Sequence, residues 1–303
     1  MTFLFDIFHG LRDGLKTGDH IEPLLLLWAI AITAVFPLTF WRKLFSISLG
    51  YGAAISTMSL VLMRTFDVPI LSSPSVYLAS PSKLLVLGSV IYGIRLTTFL
   101  VLRQWTVLRI TKQSDMAEGM SRMKSNLLAL AVSFLYACFQ LPVLYTLRAD
   151  YAGHGDKRII IHLVEYVGLA LCYLGVLLET VADHQKYLVK RRFGAAYDET
   201  KFVGPTGGVY SLCRHPNYFG EVLVWIGIYI TSAYSLGTNT IAWVFSTIGL
   251  WSIVSIMLGS TVKLEQKHQE KYGNQEKFQA WHNRVRAPLI PFVEKNLTIW
   301  GIK

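Results

Sequence analysis

Apolar residues run along this chain in seven long stretches, near 23–40, 44–63, 84–102, 127–147, 159–180, 222–236 and 240–262. Crossing ~30 Å of hydrocarbon takes about 20 apolar residues in a helix. Each stretch therefore predicts a membrane-spanning helix, and together they predict an all-α integral membrane bundle of about seven. The sixth stretch is short. The connections "WRK" and "GTN" are tight hairpins. No repeat at solenoid spacing and no low-complexity linker interrupts the pattern, so residues 1–303 read as one polytopic membrane domain. The first twenty residues, "MTFLFDIFHGLRDGLKTGDH", lack a basic segment followed by a small-residue cleavage site, and so do not read as a cleaved signal peptide. They suit a short amphipathic helix lying on the membrane surface.

Polar residues inside or beside these stretches are the candidate chemistry, because a charge within hydrocarbon is costly and usually faces a cavity or a partner. Arg95 sits in the middle of the third stretch, "SVIYGIRLTTFL", with Tyr92 three residues before it and Phe99 and Arg103 on roughly the same face. The stripe either points a phenol and two guanidiniums into a cavity or pairs Arg95 with a carboxylate such as Glu165. His162 and Glu165 are an i, i+3 pair in the fifth stretch, either an internal ion pair or part of a cavity. The fifth stretch ends "GVLLETVADHQKYLVKRR", where Glu179, Asp183 and Lys186 share a helix face and Lys190, Arg191 and Arg192 follow. Carboxylates accept from ribose hydroxyls or amide hydrogens and arginine pairs bidentately with phosphate, so this end suits a nucleotide; an ordinary helix end flanked by positive charge has the same pattern.

The stretch "SLCRHPNYFGE" places Arg214, His215, Asn217, Tyr218 and Glu221 at the mouth of the sixth apolar run. Gly204, Pro205, Gly207 and Gly208 before it predict loop, and Pro216 suits the first turn of a helix. Asn217 and Glu221 then fall four apart on one face. An amide beside a carboxylate is the donor-and-acceptor pair that grips a carboxamide, Arg214 and His215 would reach toward phosphate, and a helix N-terminus adds free N–H groups for an anion.

Composition agrees with a membrane chain: 52% of the 303 residues are hydrophobic and only 16% are charged. The formal net charge of +10 is unevenly spread. With seven spans, 21 of the 29 Lys and Arg residues fall on the side of the C-terminus and 7 on the other, which puts the C-terminus in the cytoplasm. That charge is either topogenic alone or the counterpart of a cytosolic anion. No recognition helix or aromatic-basic platform points to nucleic acid. Cys138, Cys172 and Cys213 suggest no disulfide framework, and no metal site is expected.

"GVYSLCRHPNYFGE" resembles the signature of the steroid 5α-reductase C-terminal domain family, most closely its broad branch labelled a domain of unknown function (DUF1295-like). "ETVADHQK" upstream and "EKFQAWHNRVRAPLIPF" downstream resemble other blocks of that family in the same order, and the likeness spans about residues 84–292. It implies a steroid-reductase-like bundle of seven helices, a cytosol-facing NADPH site and hydride transfer to an activated carbon–carbon double bond of a lipophilic, steroid- or enone-like substrate. The nucleotide-binding positions carry over to Asp183, Asn217 and Glu221, with Glu179 where the steroid enzymes use Asn. Tyr92 takes the place of the phenol that hydrogen-bonds the substrate carbonyl. The Gln-Glu pair of the steroid enzymes has no match in "RTFDVPILSSPSVYLASPSK", so the likeness bears on the cofactor more than on a steroid substrate. Two other classes compete. A bare R-H-P-x-Y is shared with isoprenylcysteine methyltransferase-like membrane enzymes, which implies S-adenosylmethionine; and a family fold can serve as a non-catalytic subunit of a membrane complex. Apart from substrate, the expected surroundings are membrane lipid, in the endoplasmic reticulum, a bacterial inner membrane or the mitochondrial inner membrane.

Overall fold

The computed structural model describes residues 2–69, 73–78, 80–106, 119–153, 159–193, 198 and 200–293. Regular structure among these residues is helical throughout. The helices are α1 (Thr2–Thr17), α2 (Glu22–Trp41), α3 (Leu49–Thr65), α4 (Pro74–Leu78), α5 (Pro81–Thr106), α6 (Arg122–Tyr151), α7 (Ile159–Phe193), α8 (Pro216–Ser232), α9 (Thr240–Tyr272) and α10 (Glu276–Arg284). Five of them, α2, α5, α6, α7 and α9, are long and apolar enough to cross a membrane. The chain is an all-α, multi-pass membrane protein. The second and sixth apolar stretches form α3 and α8, of 17 residues each. At ~1.5 Å per residue such a helix reaches about 25 Å, short of a full hydrocarbon layer.

The chain divides into two compact units. The first comprises Met1–Cys172 and Ile226–Leu250, the second Tyr173–Trp225 and Trp251–Lys303.

In the first unit α3 lies against α5 and α2, α2 lies against α6, and α1 touches α2, α3 and α6. Glycines set a close crossing of α3 with α5. A Cβ on Gly52 of α3 would stand 2.9 Å from the Gly93 carbonyl of α5, and one on Gly93 would stand 2.5 Å from the Ser56 amide. Below this crossing a polar tier is closed on itself. Gln140 Nε2 of α6 donates to Ser89 Oγ of α5 at 2.6 Å, and Ser59 Oγ of α3 lies 2.9 Å from Ser89 Oγ. These three side chains are buried, and each partner removes the penalty of a bare polar group in an apolar interior. The N-terminal segment expected to be an amphipathic helix is α1. Its last turn is held by Arg148 of α6, whose Nη2, Nε and Nη1 donate to the carbonyls of Gly14, Leu15 and Gly18 at 2.8, 2.7 and 2.9 Å. The Gly14 carbonyl also accepts from the Gly18 amide at 2.9 Å, all three lie at the helix end where carbonyls outnumber intrahelical donors, and a planar guanidinium reaches them at once. Between α8 and α9, Gly237 takes a left-handed φ of 53° and Asn239 Oδ1 accepts from the Ala242 amide at 2.9 Å, closing the "GTN" turn.

The second unit is built on α7 from Tyr173, the first half of α8, α9 from Trp251, and α10. Here α7 and α8 meet backbone to backbone: a Cβ on Gly220 would stand 2.7 Å from the Glu179 amide and 2.9 Å from the Gly175 carbonyl. Past the helix ends, Phe202, Tyr210, Tyr272, Phe278 and Trp281 form a buried cluster in which the Phe202 ring stacks on Trp281 at 5.3 Å. Gln275 ties the loop to it, accepting from the Phe202 amide at 2.7 Å and donating to the Thr200 carbonyl at 2.6 Å.

Since the atoms around Gly220 are main chain and cannot step aside, Gly220→Ala should cost about 1–3 kcal/mol through overpacking. Gly10, on α1, has nothing within 4 Å of a Cβ, so Gly10→Ala should be neutral or slightly stabilising. Thermal unfolding of the detergent-solubilised variants reads both; equal midpoints for the two would refute the close crossing.

Candidate functional site

Apart from His162 and Glu165, the residues singled out on α7 and α8 fall in the second unit, where the helix crossing brings Glu179 against the turn that carries Glu221. Glu179 packs its backbone on Gly220, one residue before Glu221. Glu179, Asp183 and Glu221 are each at least nine-tenths buried, at 3%, 8% and 8% exposure. Three carboxylates at that depth demand donors. Asn217 and Tyr218, on the first turn of α8, are half-buried, as are Lys186 and Lys190, whereas Arg191 and Arg192 at the end of α7 are exposed. The amide oxygens of Asn217 and Gln185 are buried and have no hydrogen-bond donor among the described residues.

Pro216 opens α8, and the two residues before it are fixed from three directions. The backbone amides of Arg214 and His215 donate to the carbonyls of Ala287 and Pro288 at 2.9 and 3.0 Å. Arg214 Nη1 donates to the Val285 carbonyl at 2.7 Å. The remaining side-chain bonds converge on Glu265 of α9. Arg214 Nε and Nη2 donate to Glu265 Oε2 at 2.8 and 2.5 Å, His215 Nε2 lies 2.7 Å from Oε1, and His282 Nε2 of α10 lies 3.6 Å from Oε2. The His215 ring stacks with Tyr218 at 5.6 Å and with His268 at 6.3 Å, both nearly parallel to it. No group of three or more His, Cys, Asp or Glu side chains among the described residues is arranged to hold a metal ion.

Electrostatics follow from this burial. Loss of solvent pulls the His215 imidazole below its ordinary pKa, assisted by the charges of Lys186 and Arg214 and only partly offset by Glu265. The Tyr210 phenol, which donates to the Ala182 carbonyl at 3.3 Å, is pushed well up by burial and then by the negative charge of Asp183. Burial pushes the Cys213 thiol up to about 12, and all three cysteines are free and buried.

Tyr92 and Arg95 lie in the first unit, on α5. Tyr92 is fully buried and its hydroxyl donates to Tyr51 OH of α3 at 3.1 Å. The Arg95 guanidinium stands 5.7 Å from the Tyr92 ring centroid. His162 Nδ1 and Glu165 Oε2 approach to 3.4 Å, so that helical pair does form.

Glu265, His268, His282 and Tyr51 carry no local signal in the sequence that marks them as site residues. Glu265 and His268 are one turn apart in "KLEQKHQEKY", a mixed-charge helix end like many others. Only the fold reveals that a carboxylate about fifty residues downstream occupies Arg214 and His215.

A histidine held neutral in the folded state makes stability depend on pH. Below the ordinary His value of 6.5 the unfolded chain takes up a proton that the folded chain resists. His215 therefore contributes stability above about pH 6.5 that is lost as pH falls. The unfolding midpoint of the solubilised protein should drop between pH 7.5 and 5.5, and His215→Gln should shrink that drop. An equal drop in the variant would contradict this assignment.

The model of one protein family, described as "Protein of unknown function (DUF1295)", matches residues 55–285. No curated protein and no solved structure matches the chain. The family match runs from within α3 to just beyond α10, and it takes in the buried carboxylates, the Glu265 network and the glycine crossing of α7 with α8. On that coverage the chain belongs to the DUF1295 family.

Proposed function

We propose that this protein is a membrane-embedded reductase that uses NADPH to reduce a carbon–carbon double bond of a lipophilic, enone-like substrate. The observation that carries the reading is the buried amide oxygen of Asn217, which has no donor among the described residues and sits four residues from the buried carboxylate of Glu221. A nicotinamide carboxamide offers the N–H group that the Asn217 oxygen lacks, with Glu221 one turn along the same helix as a further acceptor. Ribose hydroxyls offer the same to the Gln185 oxygen, with Glu179 and Asp183 on the same helix. The acceptor-rich donor set thus fits the cofactor that the resemblance implies.

Within this reading each residue has a limited task. Asn217 and Glu221 fix the nicotinamide amide, and Tyr218 lines the same turn of α8. Arg191 and Arg192, exposed at the end of α7, meet the 2′-phosphate bidentately. Arg214 has three donors engaged by Glu265 and Val285, so Arg214 and His215 serve the site by fixing the first turn of α8. When bound, NADPH supplies a hydride for the β-carbon of the substrate. The corresponding negative charge gathers on the substrate oxygen, where a hydrogen-bond donor lowers the barrier; the resemblance assigns that donor to Tyr92, with Arg95 beside it. We propose further that α3 and α8 complete a bundle of seven spans and that the C-terminus is cytosolic. An impermeant thiol label should then react at a cysteine placed at position 303 in sealed inside-out vesicles, and protection there would reverse the orientation.

Calorimetric titration of the solubilised chain tests the cofactor. NADPH should bind, NADH should bind at least about ten-fold more weakly, and Glu221→Gln should weaken NADPH by about ten-fold or more, the cost of losing a charged hydrogen-bond partner. Equal affinity for the two nucleotides would remove the arginine assignment. Binding of S-adenosylmethionine in place of NADPH would replace the reductase with a methyltransferase, and binding of neither would leave a non-catalytic subunit.

A further inference from the structure

We infer that the first unit carries a binding site for an anionic phospholipid, built where the end of α2 meets the start of α6. Arg122 and Lys124 of α6 hold the headgroup phosphate, and Phe40 and Trp41 of α2 lie along the lipid. The site is independent of the reductase reading.

Three contacts join the two helix ends. Arg122 Nη1 donates to the Thr39 carbonyl at 2.8 Å, and its guanidinium stands 5.7 Å from the Phe40 ring centroid. Ser125 Oγ donates to the Lys43 carbonyl at 3.2 Å. After Trp41 the backbone of Arg42 is extended, with φ −146° and ψ 134°, and a single 3-10 turn, Lys43–Ser46, follows. Four cations, Arg42, Lys43, Arg122 and Lys124, are thereby gathered on two short pieces of chain.

Among the described residues no carboxylate answers them. α2 after Glu22, the 3-10 turn, α3, α5 and α6 as far as Ala149 contain no acidic residue. The acids that flank these helices lie at the opposite end, where they are engaged. Asp67 lies 2.7 Å from Arg12 and 3.6 Å from Lys16, and Asp150 accepts from Ser82 at 2.7 Å. A cluster of like charge at the edge of hydrocarbon draws a counter-charge.

The cations also keep donors to offer. Arg122 gives one of its N–H groups to Thr39, and most of its fork is unengaged among the described residues. Lys124 is exposed and bonds to Ser121 Oγ through its backbone amide, which leaves the ammonium unengaged among the described residues. A guanidinium pairs bidentately with phosphate, and an ammonium adds a point charge beside it.

The apolar neighbours fix the depth of the site and the kind of molecule that fits it. Phe40 and Trp41 are 65% and 62% exposed at the end of a helix apolar enough to cross a membrane. Trp41 is steadied by the buried Phe45, edge to face at 5.6 Å. Tryptophan at a helix end sits at headgroup level, its ring among the first methylenes. Met123 and Leu127, also exposed, alternate with the cations on α6. A free phosphate has no use for this apolar surface, whereas a phospholipid covers it with its chains. A zwitterionic headgroup brings an ammonium that the four cations repel, so the site selects a lipid of net negative charge. Charge serving topology alone needs no fixed geometry, yet Arg122 is held by both Thr39 and Phe40.

Fluorine NMR of the solubilised full chain carrying 5-fluorotryptophan tests the site, with the Trp41 resonance assigned by its loss in Trp41→Phe. Phosphatidylglycerol added to the micelles should shift that resonance. Half-saturation should come at a mole fraction about ten-fold or more below that of phosphatidylcholine with the same chains, since each cation beside an anionic lipid is worth about a five-fold preference. Glycerol phosphate, which has no chains, should leave the resonance in place. Lys124→Glu should abolish the preference and Lys124→Gln should weaken it several-fold. Neither change touches a contact that joins the helices, so both variants keep the fold. Lys83→Gln, in the first turn of α5 at the opposite end, should leave the preference unchanged. Equal half-saturation for the two lipids, a preference that survives Lys124→Glu, an equal loss in Lys83→Gln, or a response to glycerol phosphate matching that to the lipid overturns the site.

Discussion

The carboxylate of Glu265 is the interaction on which the second unit depends. Stripped of water, an unpaired carboxylate costs several kcal/mol. Glu265 avoids that by taking two guanidinium bonds from Arg214 and one contact from His215, with His282 close by. Arg214 and His215 belong to the loop before α8, His282 belongs to α10, and Glu265 itself stands on α9. One charge therefore joins three segments that have no covalent reason to meet. The strand of chain after α10 closes the arrangement by accepting from the Arg214 and His215 amides. What this network fixes is the first turn of α8, and with it the positions of Asn217 and Glu221.

The same constraint governs the first unit by different means. Its polar groups lie among apolar helices, where an unmet hydrogen bond is more costly than on a soluble surface. Gln140 with two serines, Arg148 with three carbonyls and Tyr92 with Tyr51 are local answers to that demand. Glycine does the complementary work. At Gly52 with Gly93, and in the second unit at Gly175 with Gly220, main chains come so close that no side chain fits between them. Close approach of this kind is how helices associate when lipid is as apolar as leucine.

Much of this was legible in the sequence because membrane helices announce themselves by length. All seven apolar stretches fall on helices, Pro216 begins one, and Glu179, Asp183, Asn217 and Glu221 lie on helices as their spacing required. Two things were not legible. Helix length depends on where the chain turns as well as on its apolar residues, and α3 and α8 stop at 17 residues, so the span count was less secure than the stretches implied. Contacts across the fold carry no local pattern either. Arg214 and His215 read as free to reach a phosphate because Glu265 is remote in sequence, and Tyr51 read as part of an apolar run because its partner lies on another helix.

The proposed NADPH site is made by the end of α7 and the first turn of α8. Hydrogen exchange of the solubilised chain, with and without saturating NADPH, tests it most directly because it needs no substrate. Slower exchange is predicted in peptides covering 183–193 and 208–221, with the N-terminal half of α2 unchanged. Identical exchange in both conditions, or slowing confined to segments outside those two, would contradict it.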